Sequence, residues 1–319
     1  MKKIMALFLI LSLSLTLSAC GAKENKNAQT GGKESVAQLK IGTPVDMDEQ
    51  IIYDKNDIII KAKKLEFAED SNDYCAYYYY EVTNNSKTAI FIEHLTFDVN
   101  GLSLHTPYKE EVVKSGETVE NNITLNQNCC EWNDIKVIKE LSFDLKIQAC
   151  HEKSADYEDP DDPYGLYNYE KDNVIAERTG DLVAKTKYAD KYADYEQKVD
   201  RNGTALFEKD NTTLVFNKVF TEPGIDDEKN LRAFVYFKND YDFPIKVSYT
   251  AKKINGQEIP NESNVFELPF KSEGFRHWWE SDIDYEKIES MDFVYTVTNA
   301  DSGEVLTESE TLVTLTFDK

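Results

Sequence analysis

Five carboxylates lie close together near the middle of the chain, and their number and spacing raise the question of metal binding. They are Asp156, Glu158, Asp159, Asp161 and Asp162. Calcium takes about six to eight oxygen ligands from a flexible loop, so a segment of this composition could hold a calcium ion. The segment lacks the central glycine of an EF-hand, and Pro160 and Pro163 stiffen it. A calcium site and a solvated acidic loop are therefore both open, and the solvated loop is the simpler interpretation.

The densest aromatic run of the chain covers residues 275–279 and also contains an arginine and a histidine. If this run forms a strand, Trp278 and Trp279 point to opposite faces of the sheet. One indole could then pack in a core while the other offers a stacking platform for a sugar ring or a partner side chain. The alternative is that both indoles are covered, one by the core and one by a domain contact or a loop.

Catalytic motifs are absent from the sequence. It contains no Gly-x-Ser-x-Gly elbow, no His-Glu-x-x-His pair, no phosphate-binding glycine loop and no dinucleotide fingerprint. The four histidines, His94, His105, His151 and His277, stand in no recognisable catalytic setting. A carboxylate pair for glycoside hydrolysis cannot be singled out in so acidic a chain. We therefore predict a protein that is not an enzyme, with a hydrolase as a remote alternative.

The first 21 residues have the features of a processed leader. Lys2 and Lys3 precede an apolar run, residues 4–17, that is too short and too rich in serine and threonine to span a bilayer core about 30 Å thick. The leader closes with Leu17-Ser18-Ala19-Cys20. This pattern resembles the lipobox of bacterial lipoproteins, which implies that residues 1–19 are removed and that Cys20 carries a diacylglyceryl group. An ordinary secretory leader is the alternative, and either leader places the folded part outside the cytoplasm.

The chain carries a formal net charge of −23. Such a charge argues against nucleic acid as a partner, because proteins that bind the phosphate backbone present a basic patch. It also argues against electrostatic adhesion to anionic lipid headgroups. We therefore expect contact with the cell membrane through the lipid anchor alone, and a protein or glycan partner remains open.

Four cysteines follow Cys20: Cys75, Cys129, Cys130 and Cys150. An even number in an exported protein indicates two disulfides. A bond between adjacent cysteines would be strained, so we expect one of Cys129 and Cys130 to pair with Cys75 and the other with Cys150. A metal site formed by the last three cysteines and His151 is the alternative, although the spacing matches no zinc knuckle.

Downstream of the leader, the composition changes from polar to strand-forming. Residues 21–38 contain almost nothing apolar, which predicts a flexible spacer over residues 20–40, beginning with the lipidated cysteine. From residue 41 onward, short segments rich in β-formers end at turns such as Asn84-Asn85-Ser86 and Asn100-Gly101. Strands of this length, spaced roughly ten residues apart, predict an all-β sandwich.

The pattern of strands and turns recurs along the chain. A shift of 155 residues aligns turn asparagines and apolar strand positions of the two halves, and a shift of 150 aligns residues 138–147 with residues 288–297. Both blocks keep apolar residues at every second position, as equivalent inward-facing residues of two homologous sandwiches do. The aligned pairs include Asn56 with Asn211, Asn84 with Asn239, Asn100 with Asn255 and Phe143 with Phe293.

The predicted fold class is therefore all-β, with two tandem immunoglobulin-like sandwiches joined by a short helical linker. The first sandwich covers residues 41–185 and contains the acidic insertion at 151–170. Residues 174–185 form its last strand, because they resemble the closing stretch of the second copy. The second sandwich covers residues 201–319 and has no cysteine.

The linker, residues 186–200, is predicted to be helical. Tyr188, Tyr192 and Tyr195 follow a spacing of i, i+4 and i+7, which places them on one helical face. We expect such a helix to set the angle between the two sandwiches.

The lipobox, the spacer and the tandem copies together resemble Gram-positive bacterial surface lipoproteins with immunoglobulin-like domains of uncharacterised function. The resemblance implies a fold and a location and supplies no ligand. Our leading hypothesis is a lipid-anchored, non-enzymatic binding or adhesion module without a cofactor. The alternative is a calcium-responsive or envelope accessory protein that docks on another membrane protein, with calcium ordering the acidic insertion.

Overall fold

A computed structural model describes the chain over residues 39–40, 43–67, 74–104, 109–153, 168–209, 211–223, 229–280, 288–309 and 311–316. The side chains of several strand residues, among them Cys75, Trp278 and Trp279, lie outside the description. No helix within these ranges is long and apolar enough to span a membrane. Cys20 and the acidic segment 156–162 lie outside the described residues.

The first half folds into two antiparallel sheets. Its elements are β1 (Gln50–Lys55), β2 (Ile58–Glu66), β3 (Tyr74–Asn84), β4 (Ala89–Val99), β5 (Leu102–Ser103), β6 (Glu110–Val113), β7 (Thr118–Asn126), α1 (Gln127–Trp132), β8 (Glu140–Glu152), β9 (Tyr169–Ala176) and β10 (Leu182–Lys185). The smaller sheet has the order β1-β2-β3-β7. The larger sheet has the order β10-β8-β4-β5, with β6 added on β4 and β9 on β8. These two sheets form the first immunoglobulin-like sandwich.

The second half repeats this arrangement. Its elements are α2 (Tyr188–Lys191), β11 (Thr204–Lys209), β12 (Thr212–Pro223), β13 (Lys229–Asn239), β14 (Ile245–Ile254), β15 (Gln257–Leu268), β16 (Ser272–Glu280), β17 (Ser290–Asn299), β18 (Val305–Glu308) and β19 (Val313–Thr316). One sheet has the order β11-β12-β13-β16, and the other has the order β15-β14-β17-β18 with β19 on β17. The two-sandwich architecture predicted from the sequence is confirmed.

The repeat extends to the turns. Asn100 and Asn255 both adopt a left-handed conformation, with φ of 53° and 50°, and each is followed by a glycine. The side-chain oxygen of Asn100 accepts hydrogen bonds from the backbone of Lys139 and Glu140, and that of Asn255 accepts them from Glu289 and Ser290. The turn amide therefore bonds the segment that enters the next central strand in both copies, which explains why the 155-residue and 150-residue alignments both hold.

The two cores are built from the strand positions that the apolar alternation marked as inward-facing. Phe143 and Phe293, aligned by the 150-residue shift, are both fully buried. Tyr78 and Tyr80 fill the first core beside Phe143, and Tyr249 packs against Phe293 in the second. Alternation of buried and exposed side chains in these strands is what a half-buried sheet requires.

The linker contains a short helix, but this helix covers four residues of the predicted 186–200. The N-cap residue, Lys187, makes no side-chain cap hydrogen bond, so little local structure supports a longer helix. The linker tyrosines instead pack on the end of the first sandwich, where Tyr192 is buried against Leu39 and Val137. Their helical spacing therefore reflects contacts with the first sandwich rather than one long helix.

The predicted last strand of the first sandwich, residues 174–185, is split in the structure. Its first part belongs to β9 and its second part is β10, and both pair with β8. In the second copy, β18 and β19 divide in the same way along β17. The ends of the predicted insertion 151–170 were wrong, because residues 151–152 belong to β8 and residues 169–170 to β9. In the second copy, only the short connection from Asn299 to Val305 joins the corresponding strands.

Candidate functional site

Residues Ser35–Lys319 form a single compact unit, and the first sandwich contacts the second through strand β16. Trp132 of α1 lies over Phe234 with ring centroids 5.6 Å apart, and both belong to an apolar cluster with Phe275. On the other face of β16, β5 of the first sandwich approaches Gly274 and Arg276. Strand β16 is therefore held from both of its faces by the first sandwich.

The two sandwiches approach each other closely at Gly274. A Cβ atom added at this position would lie 2.5 Å from the backbone oxygen of Ser103. There is no room for a Cβ atom at this position, so only glycine allows β5 and β16 to pack backbone to backbone. An isolated glycine within a strand is a known sign of such an approach.

Arg276 is buried beside this contact. Its Nη1 donates a hydrogen bond to the backbone oxygen of Ser103 at 3.3 Å, and its guanidinium lies 4.4 Å from the centroid of the Phe237 ring. Burial lowers the pKa of this guanidinium to about 10, while electrostatic interactions with Cys129 and Asp98 act in the opposite direction. The strand alternation that buries Phe97 and Val99 in the first core leaves Asp98 on the outer face that meets Arg276.

Asp98 is a carboxylate beside this contact that lacks a full set of hydrogen-bond partners. Its Oδ1 is buried and has no hydrogen-bond partner within the described residues. Burial raises the pKa of the Asp98 carboxyl to about 6, and the charges of Asp181 and Asp144 also raise it. The Arg276 guanidinium and the Ser103 hydroxyl lower it, but by less than the groups that raise it. We call Asp98, Ser103, Gly274 and Arg276 the junction.

A second ionic contact lies next to the junction. The buried Asp144 carboxylate accepts hydrogen bonds from Arg178 Nε at 2.8 Å, from the Thr179 hydroxyl at 3.0 Å and from the Gly180 backbone at 3.0 Å. The Arg178 guanidinium stacks 3.2 Å from the centroid of the Phe270 ring, which belongs to the second sandwich. Unlike Asp98, Asp144 is well satisfied, so this contact fixes the orientation of the arginine that reaches across.

A cleft of about 410 Å³ opens above the junction, with walls from both sandwiches. This volume lies within the range that accommodates small molecules. The first sandwich contributes the segment from Glu93 to Phe97 together with Ser103 and Leu104, and the second contributes Pro244, the segment from Glu267 to Pro269, Arg276, Ala300 and Asp301. Apolar side chains form much of the lining, and three carboxylates, those of Glu93, Glu267 and Asp301, lie along it.

A polar cluster inside the first sandwich includes a residue of β4, the strand that also carries Asp98. Tyr80 donates a hydrogen bond to Glu111 at 3.1 Å and lies 3.0 Å from His94 Nε2, while Asn121 donates to the other Glu111 oxygen. Burial raises the pKa of the Tyr80 hydroxyl well above its ordinary value. The aligned positions of Tyr80 and His94 in the second copy are Val235 and Tyr249. This cluster ties together strands β3, β4, β6 and β7 of the first sandwich.

The structure places some of the residues predicted from the sequence. Trp278 and Trp279 lie in β16 and pair with Ala233 and Arg232, which confirms the strand. The stacking platform stays a prediction, because the indole side chains lie outside the described part. The calcium site and the lipidation of Cys20 fall outside the described residues altogether. No group of three or more potential metal ligands occurs within the described ranges.

The predicted disulfide of Cys150 is not formed in the structure, which holds Cys150 as a buried free thiol. Burial raises the pKa of this thiol to about 11. Helix α1 carries Cys129 and Cys130 and follows β7, whose last residue pairs with the first residue of β3. Cys150 pairs with Ala89, which comes shortly after the other end of β3. The 11 residues of β3 separate these ends by roughly 30 Å, which also argues against the alternative metal site. A bond to Cys75 stays a prediction.

Sequence reasoning missed the junction and the cleft. Two signals were present. Gly274 and Arg276 interrupt a strand that carries three aromatic residues, and Asp98 stands at the position where the second copy has Lys253. Each signal is weak alone, because outward-facing charges are common on sheets that face water. Only the docking of β5 on β16 shows that these residues lie close together.

Comparison with known proteins finds only weak structural similarities. No protein-family model matches the chain, and no curated protein matches it. A β-D-mannosidase from Dictyoglomus thermophilum aligns with 85% of this chain and 35% of its own, at 11% identity and a TM-score of 0.22. CBD12 from CALX1.2 aligns over 72% and 77% of the two chains, at 8% identity and a TM-score of 0.20. The chain thus spans about a third of the length of that mannosidase.

Proposed function

We propose that this chain is a lipid-anchored binding module of the bacterial cell surface, and that it takes a compact ligand bearing a positive charge in the cleft between its sandwiches. The leader that ends at Cys20 supports the anchor. The cleft supports the binding role, because its walls come from two sandwiches that contact each other at Gly274 and Arg276. That shared cleft is the observation on which the proposal rests.

The charges along the cleft favour a cationic ligand. Glu267 and Asp301 are exposed and Glu93 is half-buried, so their carboxylates can meet a ligand that enters from solvent. The positive charge of Arg276 lies buried beside Asp98 and offsets this field only in part. The net charge of −23 adds to the attraction of cations toward the protein.

The proposed role is non-enzymatic. The two hydroxyl groups of the cleft belong to Thr96 and Ser103. The Thr96 hydroxyl accepts a hydrogen bond from the backbone of Asp144, and neither hydroxyl bonds to His94 in the described part of the chain, where His94 instead contacts Tyr80. A nucleophile needs a base within hydrogen-bonding reach, and the cleft is better suited to holding a ligand than to attacking one.

A set of three probes with the same apolar body tests the ligand class. Phenethylammonium, 2-phenylethanol and phenylacetate are positive, neutral and negative, so thermal unfolding of the full chain in detergent should shift upward only with phenethylammonium. A ligand that binds the folded state stabilises it in proportion to its occupancy. Glu267→Gln should reduce this shift.

Blocking the cleft provides the matched control. Ala300 lines the cleft, so Ala300→Trp should abolish the shift without a change in charge. Ala205 is exposed on β11, away from the cleft lining, and Ala205→Trp should leave the shift intact. Equal shifts with all three probes, or a shift that survives Ala300→Trp, would contradict the proposed site.

The anchor has its own test in cells that process lipoproteins. Cys20→Ser removes the sulfur that the lipid requires, so the variant should lose incorporation of radiolabelled palmitate and leave the membrane fraction. One acyl chain gives only marginal membrane binding and two give stable anchoring. The variant carries none on residue 20, so the loss of membrane binding should be nearly complete. Ser18→Ala keeps the small-residue pattern and should remain membrane-bound. Palmitate labelling that persists in Cys20→Ser would rule out this anchor.

A further inference from the structure

We propose that the charge of the Asp98 carboxyl controls how tightly the second sandwich docks on the first, so that docking is tighter at pH 5 than at pH 7.5. This inference concerns the junction and does not depend on the identity of a ligand. Its effect on ligand binding rests on the proposed function, because Ser103 and Arg276 belong to both the junction and the cleft.

The geometry explains why the charge matters. Asp98 lies on β4 and pairs with Ser103 of β5, the residue whose backbone oxygen meets Gly274 and Arg276. Within the described residues, the buried Oδ1 atom of Asp98 has no hydrogen-bond partner. A buried carboxylate without sufficient partners destabilises the state that buries it, and a neutral carboxylic acid does so much less.

The groups that face Asp98 come from three strands and from the segment before β10. Asp144 lies on β8 and Asp181 lies just before β10, and both repel a negative charge at Asp98. Ser103 of β5 and Arg276 of β16 favour that charge. Arg178 is engaged by Asp144, so it compensates Asp144 rather than Asp98. The balance of these groups, together with burial, disfavours the ionised form in the docked state.

The direction of the pH effect follows from this balance. Burial raises the pKa of Asp98 in the docked state to about 6, from an ordinary value of 3.8. In an undocked state the carboxyl faces water and its pKa returns toward the ordinary value. Docking therefore takes up a proton between about pH 4 and 6, and the stability that this adds at low pH is lost as the pH rises through about 6.

Hydrogen exchange of the full chain in mild detergent, with rates corrected for the intrinsic effect of pH, reports this docking through the opening of the strands that make the contact. Amides of Leu102–Ser103 and of β16 should exchange at least about tenfold faster at pH 7.5 than at pH 5, since one pKa unit corresponds to a factor of ten. In Asp98→Asn the pH dependence should disappear and both segments should stay protected. Asp54→Asn, an exposed position on β1, should behave as wild type.

A second variant keeps the test decisive if Asp98→Asn fails to fold. Asp181 is exposed, so Asp181→Asn should fold. Removing this repelling charge lowers the pKa of Asp98, so the variant should be more protected than wild type at pH 7.5 and its transition in exchange should lie at lower pH. Wild-type exchange that does not change with pH, or a pH dependence that persists unchanged in both variants, would overturn the inference. Neither result would bear on the ligand measurements, which use the probes at one pH.

Discussion

Replacing Gly274 by alanine should uncouple the two sandwiches while leaving each one folded. The added Cβ would lie 2.5 Å from the Ser103 carbonyl oxygen, the same atom that accepts the hydrogen bond from Arg276. A backbone group cannot move aside as the end of a flexible side chain can, so β5 and β16 must separate. Overpacking of this kind costs about 1 to 3 kcal/mol. Calorimetry should show coupled unfolding of the wild-type chain and two separate transitions in Gly274→Ala.

Gly303→Ala is the matched control for this prediction. Gly303 has a φ of +74° and nothing within 4 Å of an added Cβ, so alanine strains the local turn by about 1 kcal/mol without touching the other sandwich. This variant should lower the stability of the second sandwich and keep the unfolding coupled. A Gly274→Ala chain that unfolds with the same coupling as wild type would mean that the two backbones are not in contact in solution.

The second large effect is expected at the aligned asparagines Asn84 and Asn239, which are both fully buried. The Asn84 amide donates to the backbone oxygens of Thr88 and Val113 and accepts from the backbone of Ser86. Alanine at either asparagine leaves several buried backbone groups unsatisfied, each costing about 1 to 3 kcal/mol. We expect Asn84→Ala and Asn239→Ala each to lower the free energy of unfolding of its own sandwich by roughly 3 kcal/mol.

Asn239 makes the equivalent set of bonds, donating to Phe243 and Pro269 and accepting from Tyr241. Denaturant unfolding, followed by circular dichroism and assigned to a sandwich by hydrogen exchange, measures both variants. Asn264→Ala, at a half-buried position on β15, should change the stability by less than about 0.5 kcal/mol. If Asn84→Ala were as mild as Asn264→Ala, the asparagine would not hold the β3–β4 connection to its neighbour.

The sandwich fold could be predicted because its signals are local and repeated. Asn84 and Asn239 stand at the same point of two aligned patterns, and Phe143 and Phe293 occupy the same inward position of two aligned strands. Each pattern alone would be ambiguous. Their repetition at a constant spacing fixes the register of both copies, and the structure confirms it.

The features that sequence reasoning missed depend on contacts between distant segments. The helical spacing of Tyr188, Tyr192 and Tyr195 predicted a helix over the whole linker, yet contacts with Leu39 and Val137 account for Tyr192 without one. The pairing of Cys150 required knowledge of which end of the sandwich each cysteine occupies. The junction required the docking of β5 on β16, which no periodicity within one strand can indicate.

The most direct test of a shared binding cleft is hydrogen exchange of the full chain with and without saturating phenethylammonium. We expect slower exchange on both walls at once, at residues 93–97 of the first sandwich and at residues 267–269 of the second. The change should be absent in Ala300→Trp. Protection confined to one sandwich, or protection that persists in Ala300→Trp, would show that the cleft is not the site where this protein binds its ligand.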